Sequence, residues 1–185
     1  MWCKHTDSLR NCLEGLEAGL DSLENCACDH AFEHWKDITV RLRESGRIVY
    51  LIGNGASASM ASHFSADLTK NAHVHTQVFT DLALITAVAN DISYDQVFVE
   101  PLRRRLTPQD MLVAISSSGN SANVINACRF ASDIGASVVT ITAMEPDNKM
   151  RQLGNLNFWI PADTYGMAET GHACILHYWM DSVSV

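Results

Sequence analysis

Apolar positions along the chain change their period several times, and each change predicts an element. Over residues 8–23, Leu9, Leu13, Leu16, Leu20 and Leu23 recur at steps of three and four, the repeat of an amphipathic helix with one apolar stripe. Residues 29–45 carry a second such repeat and stop at Gly46, a residue suited to a C-terminal cap. The helical period then vanishes. Residues 48–52 are a continuous apolar run, which fits a strand covered on both faces of a parallel sheet. Further strands are predicted at 75–80, 111–115, 137–142 and 156–160. Helices are predicted from near Ser57, over 94–105 up to Thr107-Pro108, over 122–134 up to Gly135, over 147–153 and over 168–183, while 82–89 fits either a helix or a buried connection.

Strands alternating with helices define an α/β class: a three-layer sandwich around a parallel, doubly wound sheet. One domain is expected over 1–185, with N-terminal helices over 1–45 and an α/β core over 46–185. The two leading helices have no evident sheet face to cover, so their stripes are expected to make oligomer contacts.

Composition narrows the class of function. The chain has 185 residues, 47% of them hydrophobic, which is ordinary for a globular domain. A net charge of -8, from 21 acidic against 13 basic side chains, opposes a general nucleic-acid or membrane-surface role. No apolar run reaches the roughly 20 residues needed to cross a bilayer, and the opening MWCKHTDSLR lacks a signal-peptide core, so a cytoplasmic protein is expected. The six cysteines form no CxxC pair. Cys26 and Cys28, with Asp29, His30 and His34 nearby, read as small apolar fillers at a helix junction rather than as a metal cluster.

Candidate chemistry sits where strands hand over to helices. Gly53-Asn54-Gly55 follows the first buried strand, and the next helix begins near Ser57. Glycine lets the backbone approach a ligand, and the helix N-terminus turns its unpaired N–H groups toward the same point, a place for an anion such as phosphate. Gly-Asn-Gly is also a common turn that binds nothing. Ser116, Ser117, Ser118 and Ser121 repeat the arrangement at the end of another strand. Four serines in six residues exceed what one helix cap needs, so they read as a phosphate cradle of hydroxyl and N–H groups. Because ligands of such sheets bind at the carboxyl ends of the strands, the two loops should converge. His63 and Asp67, four residues apart on a helix, share one face and suit a metal or an acid-base pair; the same spacing also fits a solvated face. On the last helix Ile175, Leu176, Trp179 and Val183 form the apolar stripe. His172 falls inside it, and Glu169 and His177 lie at its edge, which favours the latter two as the functional pair.

The successive stretches GNGASASMASHFSADL, ANDISYDQVF and SSSGNSANVI resemble the signatures of sugar isomerase (SIS) domain proteins, nearest to the bacterial phosphoheptose isomerases, over roughly residues 30–183. The resemblance implies a SIS-type sheet and a zinc-dependent, tetrameric enzyme with sites between subunits. Such an enzyme turns sedoheptulose 7-phosphate into D-glycero-D-manno-heptose 7-phosphate. It implies that Ser116, Ser117, Ser118 and Ser121 hold the phosphate, that Asn54, Gly55 and Ser57 help place the sugar, and that Asn90 and Asp91 belong to the polar lining. Aldose-ketose exchange needs a base beside the carbonyl and a group to hold the negative oxygen. His177 with Asp67 is assigned to proton transfer, and His63, Asp67, Glu169 and His177 form the candidate metal set, with Zn2+ or another divalent ion.

The chain also departs from the family pattern. Asp67 stands where the family has glutamate, Glu169 where it has glutamine, and Ala56 where GNGGS has its last glycine; the last helix is one residue out of step counted from Pro161. Two other readings follow from the resemblance: a non-catalytic SIS protein that binds a sugar phosphate or a protein partner, and an isomerase for another sugar phosphate. Relatives of the first kind lack the histidines and acids that this chain keeps.

Overall fold

A computed structural model describes residues 1–21 and 24–185. The chain runs α1 (Trp2–Glu14), β1 (Glu17–Leu20), β2 (Glu24–Cys26), α2 (Cys28–Glu44), β3 (Ile48–Gly53), α3 (Ala56–Ala72), β4 (His75–Val78), α4 (Leu82–Asp91), α5 (Val99–Arg103), β5 (Met111–Ser116), α6 (Ala122–Asp133), β6 (Ser137–Ala143), β7 (Leu156–Ile160) and α7 (Tyr165–Val183). Seven strands form one sheet in the order β2-β1-β7-β6-β5-β3-β4. From β7 to β4 all neighbours are parallel.

The continuous apolar runs are explained by two cores, one on each face. Val49 and Leu51 of β3, with Met111, Val113 and Ile115 of β5, point into the core shared with α2, α3 and α7. Tyr50, Ile52, Leu112 and Ala114 point the other way, toward α5 and α6. Alternate side chains therefore both need to be apolar.

Three sequence expectations are corrected. The leucine repeat of 8–23 is not one helix: α1 ends at Glu14, and Glu17–Leu20 becomes β1, paired antiparallel with β7 and β2. Ser22 and Leu23 of that expected helix lie outside the described residues. Leu16 and Leu20 pack on the core from a loop and a strand, since an apolar step of four serves either period over so short a span. Residues 1–45 thus contribute two strands to the sheet as well as two helices. Second, the stripe of α2 does not await a partner. It covers the chain's own core through Ala31, Phe32, Trp35 and Leu42. Trp35 stacks on Trp179 of α7 at 4.0 Å, and the Trp179 indole N–H donates to Thr39 at 2.9 Å. Third, the helix expected over 94–105 is broken into a 3-10 turn at Tyr94–Gln96 and the short α5. Pro101, lacking an N–H, sits in the first turn of α5, where none is needed.

Helix α2 ends as its glycine predicts. Gly46 takes φ 65°, the Gly46 N–H donates to the Arg43 carbonyl and the Arg47 N–H to the Leu42 carbonyl, the paired bonds of a Schellman cap. Arg43 then reaches the last carbonyls of α3 and α7, at Ala72 and Val183, where a cation opposes both helix dipoles. That side chain ties together the two helices that carry the candidate site.

Candidate active site

The two loops meet because β3 and β5 are neighbours, with Gly53 opposite Ile115. From β3 the chain winds to β4 on one side, and from β5 to β6 on the other, so the pair flanks the point where winding reverses. Gly53 allows α3 to start directly over β5: a Cβ there would lie 2.6 Å from the Ser57 Cβ and 2.9 Å from the Ile115 carbonyl oxygen. Gly55 then takes φ 56°, ψ -124°, a conformation reserved for glycine.

Between the loops lies an open cleft of about 290 Å³. Asn54, Gly55, Ser57, Ser116, Ser117, Ser118 and Ser121 line it, and Tyr165 and Glu169 of α7 form another wall. Its chemistry is that of unspent donors. Helix α3 starts from Gly55, which has no side chain to cap it, and Ser121 makes no capping bond to α6. Helices α4 and α7, by contrast, are capped by Asp81 and Thr164. Among the described residues the Ala56 N–H of α3 and the Ala122 and Asn123 N–H groups of α6 are thus left for a ligand, at helix ends that each carry about half a positive charge, while the Ser57, Ala58, Ser59 and Val124 N–H groups turn back to the carbonyls of Asn54, Gly55 and Ser121. Among the described residues the hydroxyls of Ser57, Ser117 and Ser121 make no hydrogen bond, whereas Ser116 Oγ accepts from the Gly119 N–H at 3.2 Å and Ser118 Oγ from the Asn120 N–H at 3.3 Å.

Two residues that sequence reasoning passed over brace the cleft. Asn123, buried in the first turn of α6, exchanges two amide hydrogen bonds of 2.9 Å with Asn54, fastening one loop to the other. The Tyr94 hydroxyl donates to the same Asn54 oxygen at 3.1 Å. An asparagine and a tyrosine carry no periodic signal of such a role; only the adjacency of β3 and β5 gives them a common partner. Asn90 and Asp91, expected in the lining, are exposed at the end of α4, bonded to each other at 2.8 Å, and outside the cleft wall.

The remaining candidates form a second group on the seam where α3 packs on α7. His63 Nε2 lies 3.4 Å from Asp67 Oδ2, and the His177 ring stands 5.7 Å from that of His63, centroid to centroid, with Phe64 buried beneath both. His63 and His177 are exposed. Glu169 is not part of this group. Eight residues separate it from His177, about 12 Å along a helix, and it faces the serine loop instead. By type and position His63, Asp67 and His177 suit a divalent ion. Among the described residues, however, no three His, Cys, Asp or Glu side chains of one chain are already gathered for a metal.

His172 is fully buried on the inner side of α7 and neither ring nitrogen has a hydrogen-bond partner. Burial pushes its pKa down to about 4, with the backbone of Thr142 pulling weakly the other way. It is a neutral core residue. All six cysteines are free, and Cys26 and Cys28 pack against the core at the β2–α2 junction.

The mostly parallel sheet, with its glycine and serine loops meeting where the winding reverses, has counterparts among known proteins. Residues 20–143 match the SIS domain model, and the chain belongs to the SIS domain family. It is 34% identical to the phosphoheptose isomerase of Aliarcobacter butzleri over 76% of this chain and 77% of that one. With the phosphoheptose isomerase of Helicobacter pylori strain Shi470 it shares 30% over 92% and 88%. Among solved structures, the phosphoheptose isomerase of Neisseria gonorrhoeae superposes with a TM-score of 0.84 over 99% of this chain and 97% of that one, at 24% identity. No described helix is long and apolar enough to cross a membrane.

Proposed function

We propose that this sugar-phosphate isomerase interconverts sedoheptulose 7-phosphate and D-glycero-D-manno-heptose 7-phosphate, acting as a divalent-metal enzyme, zinc foremost, and as a homotetramer of the cytoplasm. The observation that carries the reading is the separation of the two groups. Ser57 and His63 both stand on α3 and are six residues, about 9 Å, apart along it. An extended chain advances a little over 1 Å per bond, so a phosphate in the cradle and the carbonyl end of a seven-carbon sugar span about that distance. A triose or tetrose is too short. The relatives of 34% and 30% identity, each a phosphoheptose isomerase, support the same substrate.

The residues divide the work. The donors of Ser57, Ser117 and Ser121, with the helix ends behind them, bind the phosphate and fix one end of the sugar. At the other end His177, with Asp67 of the facing helix, moves the proton between neighbouring carbons through an enediolate. A bound divalent ion would stabilise negative charge on the oxygen there; His63, Asp67 and His177 would hold it. Glu169, two turns from His177 on α7, joins them only if a further copy of the chain supplies it, which is the support for the tetramer.

A screen of C5 to C8 ketose phosphates with zinc or manganese added tests the proposal. The heptulose phosphate is expected to give the highest kcat/KM, and its unphosphorylated form to be a poor substrate. Preference for a pentulose phosphate would discard the substrate; no turnover of any of them would favour a non-catalytic, sugar-phosphate-binding role.

A further inference from the structure

The serine loop is held from behind by the segment that follows β6. The Ala143 N–H donates to the Ser117 carbonyl at 3.1 Å, the Met150 N–H to the Gly119 carbonyl at 3.1 Å, and the Lys149 N–H to the Asn120 side-chain oxygen at 3.3 Å. At the centre of this segment sits Asn148, only 2% exposed. Its amide group donates to the Glu145 carbonyl at 2.9 Å and the Ala143 carbonyl at 3.4 Å, and its oxygen accepts from the Arg151 N–H at 3.3 Å. The same side chain packs against Gly119. Gly119 has φ 60°, and a Cβ added there would run into the Asn148 side chain. The glycine is therefore needed twice, for its positive φ and for the space that Asn148 occupies.

Behind Asn148 stands a second support. Arg151 donates to the Pro146 carbonyl at 2.7 Å, pairs with Glu17 of β1 at 2.6 Å and lies over the Trp159 ring at 4.6 Å. The antiparallel edge of the sheet thus anchors the segment, and the segment anchors the loop.

We propose that Asn148 is a positioning residue for phosphate recognition: interlocked with Gly119, and held in turn by Arg151, it sets the direction in which Ser117, Ser118 and Ser121 present their donors. The inference rests on the serine loop binding phosphate. Removing a wedge that touches no substrate lets the loop relax, so that donors no longer converge and must be re-ordered on binding. A residue that served stability alone would lower the melting temperature and the active fraction, and with it apparent kcat, without moving KM.

The test compares native protein, Asn148→Ala, Arg151→Ala and Gln152→Ala by titration with inorganic phosphate and by steady-state kinetics on a ketose phosphate, with melting temperatures recorded. Asn148→Ala is expected to weaken phosphate binding and raise KM about tenfold, leaving kcat per folded molecule within a factor of about two. Arg151→Ala, one contact farther away and half-buried, should raise the phosphate Kd and KM about threefold. Gln152→Ala, exposed on the same turn, should change neither. Unchanged phosphate affinity and KM in folded Asn148→Ala and Arg151→Ala overturn the inference while the proposed function stands. Failure of the native protein to bind phosphate overturns both.

Discussion

The cleft at the strand ends and the histidine group on the α3–α7 seam share the same two helices but are made of different material. The cleft is built largely from backbone: uncapped helix ends, a glycine turn and a serine loop, all positioned by strand register and by the Asn54–Asn123 pair. The histidine group is built from side chains, His63, Asp67 and His177, standing on a helix surface without a wall of its own. Backbone donors cost little entropy to order because the fold has already fixed them, whereas exposed side chains must be gathered by an ion, a substrate or another copy of the chain. Binding should therefore survive damage to the second region, and turnover should not.

Metal removal separates the two regions most sharply. After chelation, turnover should fall by three orders of magnitude or about that, and return with zinc or manganese, while inorganic phosphate binds the cleft as before. Parallel loss of phosphate binding, followed by calorimetry, would mean that the two regions are one site. Asp67→Asn, which keeps the shape and removes the charge, should lower kcat on the order of a hundredfold with little change in KM. Turnover equal to that of the native protein would leave Asp67 a solvated helix residue. Asp67→Glu then asks whether the shorter acid is built into this site, in which case kcat drops, or is a defect, in which case it rises.

Helix α7 joins the regions, and His172 on its inner side gives it a pH limit. Its folded pKa, about 4, lies below the unfolded value near 6.5. The unfolded chain therefore takes up a proton that the folded chain refuses, and stability falls as pH drops from about 6.5 to about 4, by about 3 kcal/mol over that window. His172→Leu should flatten that part of the stability curve and leave stability at pH 7 little changed, because at most a poorly formed contact with the Thr142 backbone is lost. Denaturant midpoints at pH 7 and pH 4.5 check this; an acid slope as steep as in the native protein would assign the loss to other groups. A smaller effect is expected in the cleft: Ser121→Ala should weaken phosphate binding by about 1 kcal/mol, roughly fivefold, without altering the melting temperature. Unchanged affinity would mean that the N–H groups alone hold the anion.

Much of this protein was legible in its sequence because local chemistry dictated it. The apolar runs of β3 and β5, the glycines after β3, the serines after β5 and the Gly46 cap each follow from backbone requirements within a few residues. Helical spacing also placed His63 beside Asp67 and turned His172 inward. Spacing gives the face of a helix but not what lies opposite. Only the tertiary structure showed that Glu17–Leu20 leaves the leucine repeat to join β7, that α2 covers the chain's own core, and that Asn123 and Tyr94 meet at Asn54. Only it put Glu169 in the cleft and left His177 two turns away on the seam. Those partners lie far off in the chain, and which of them a side chain meets is decided by strand order and helix packing, long-range facts that no local pattern contains.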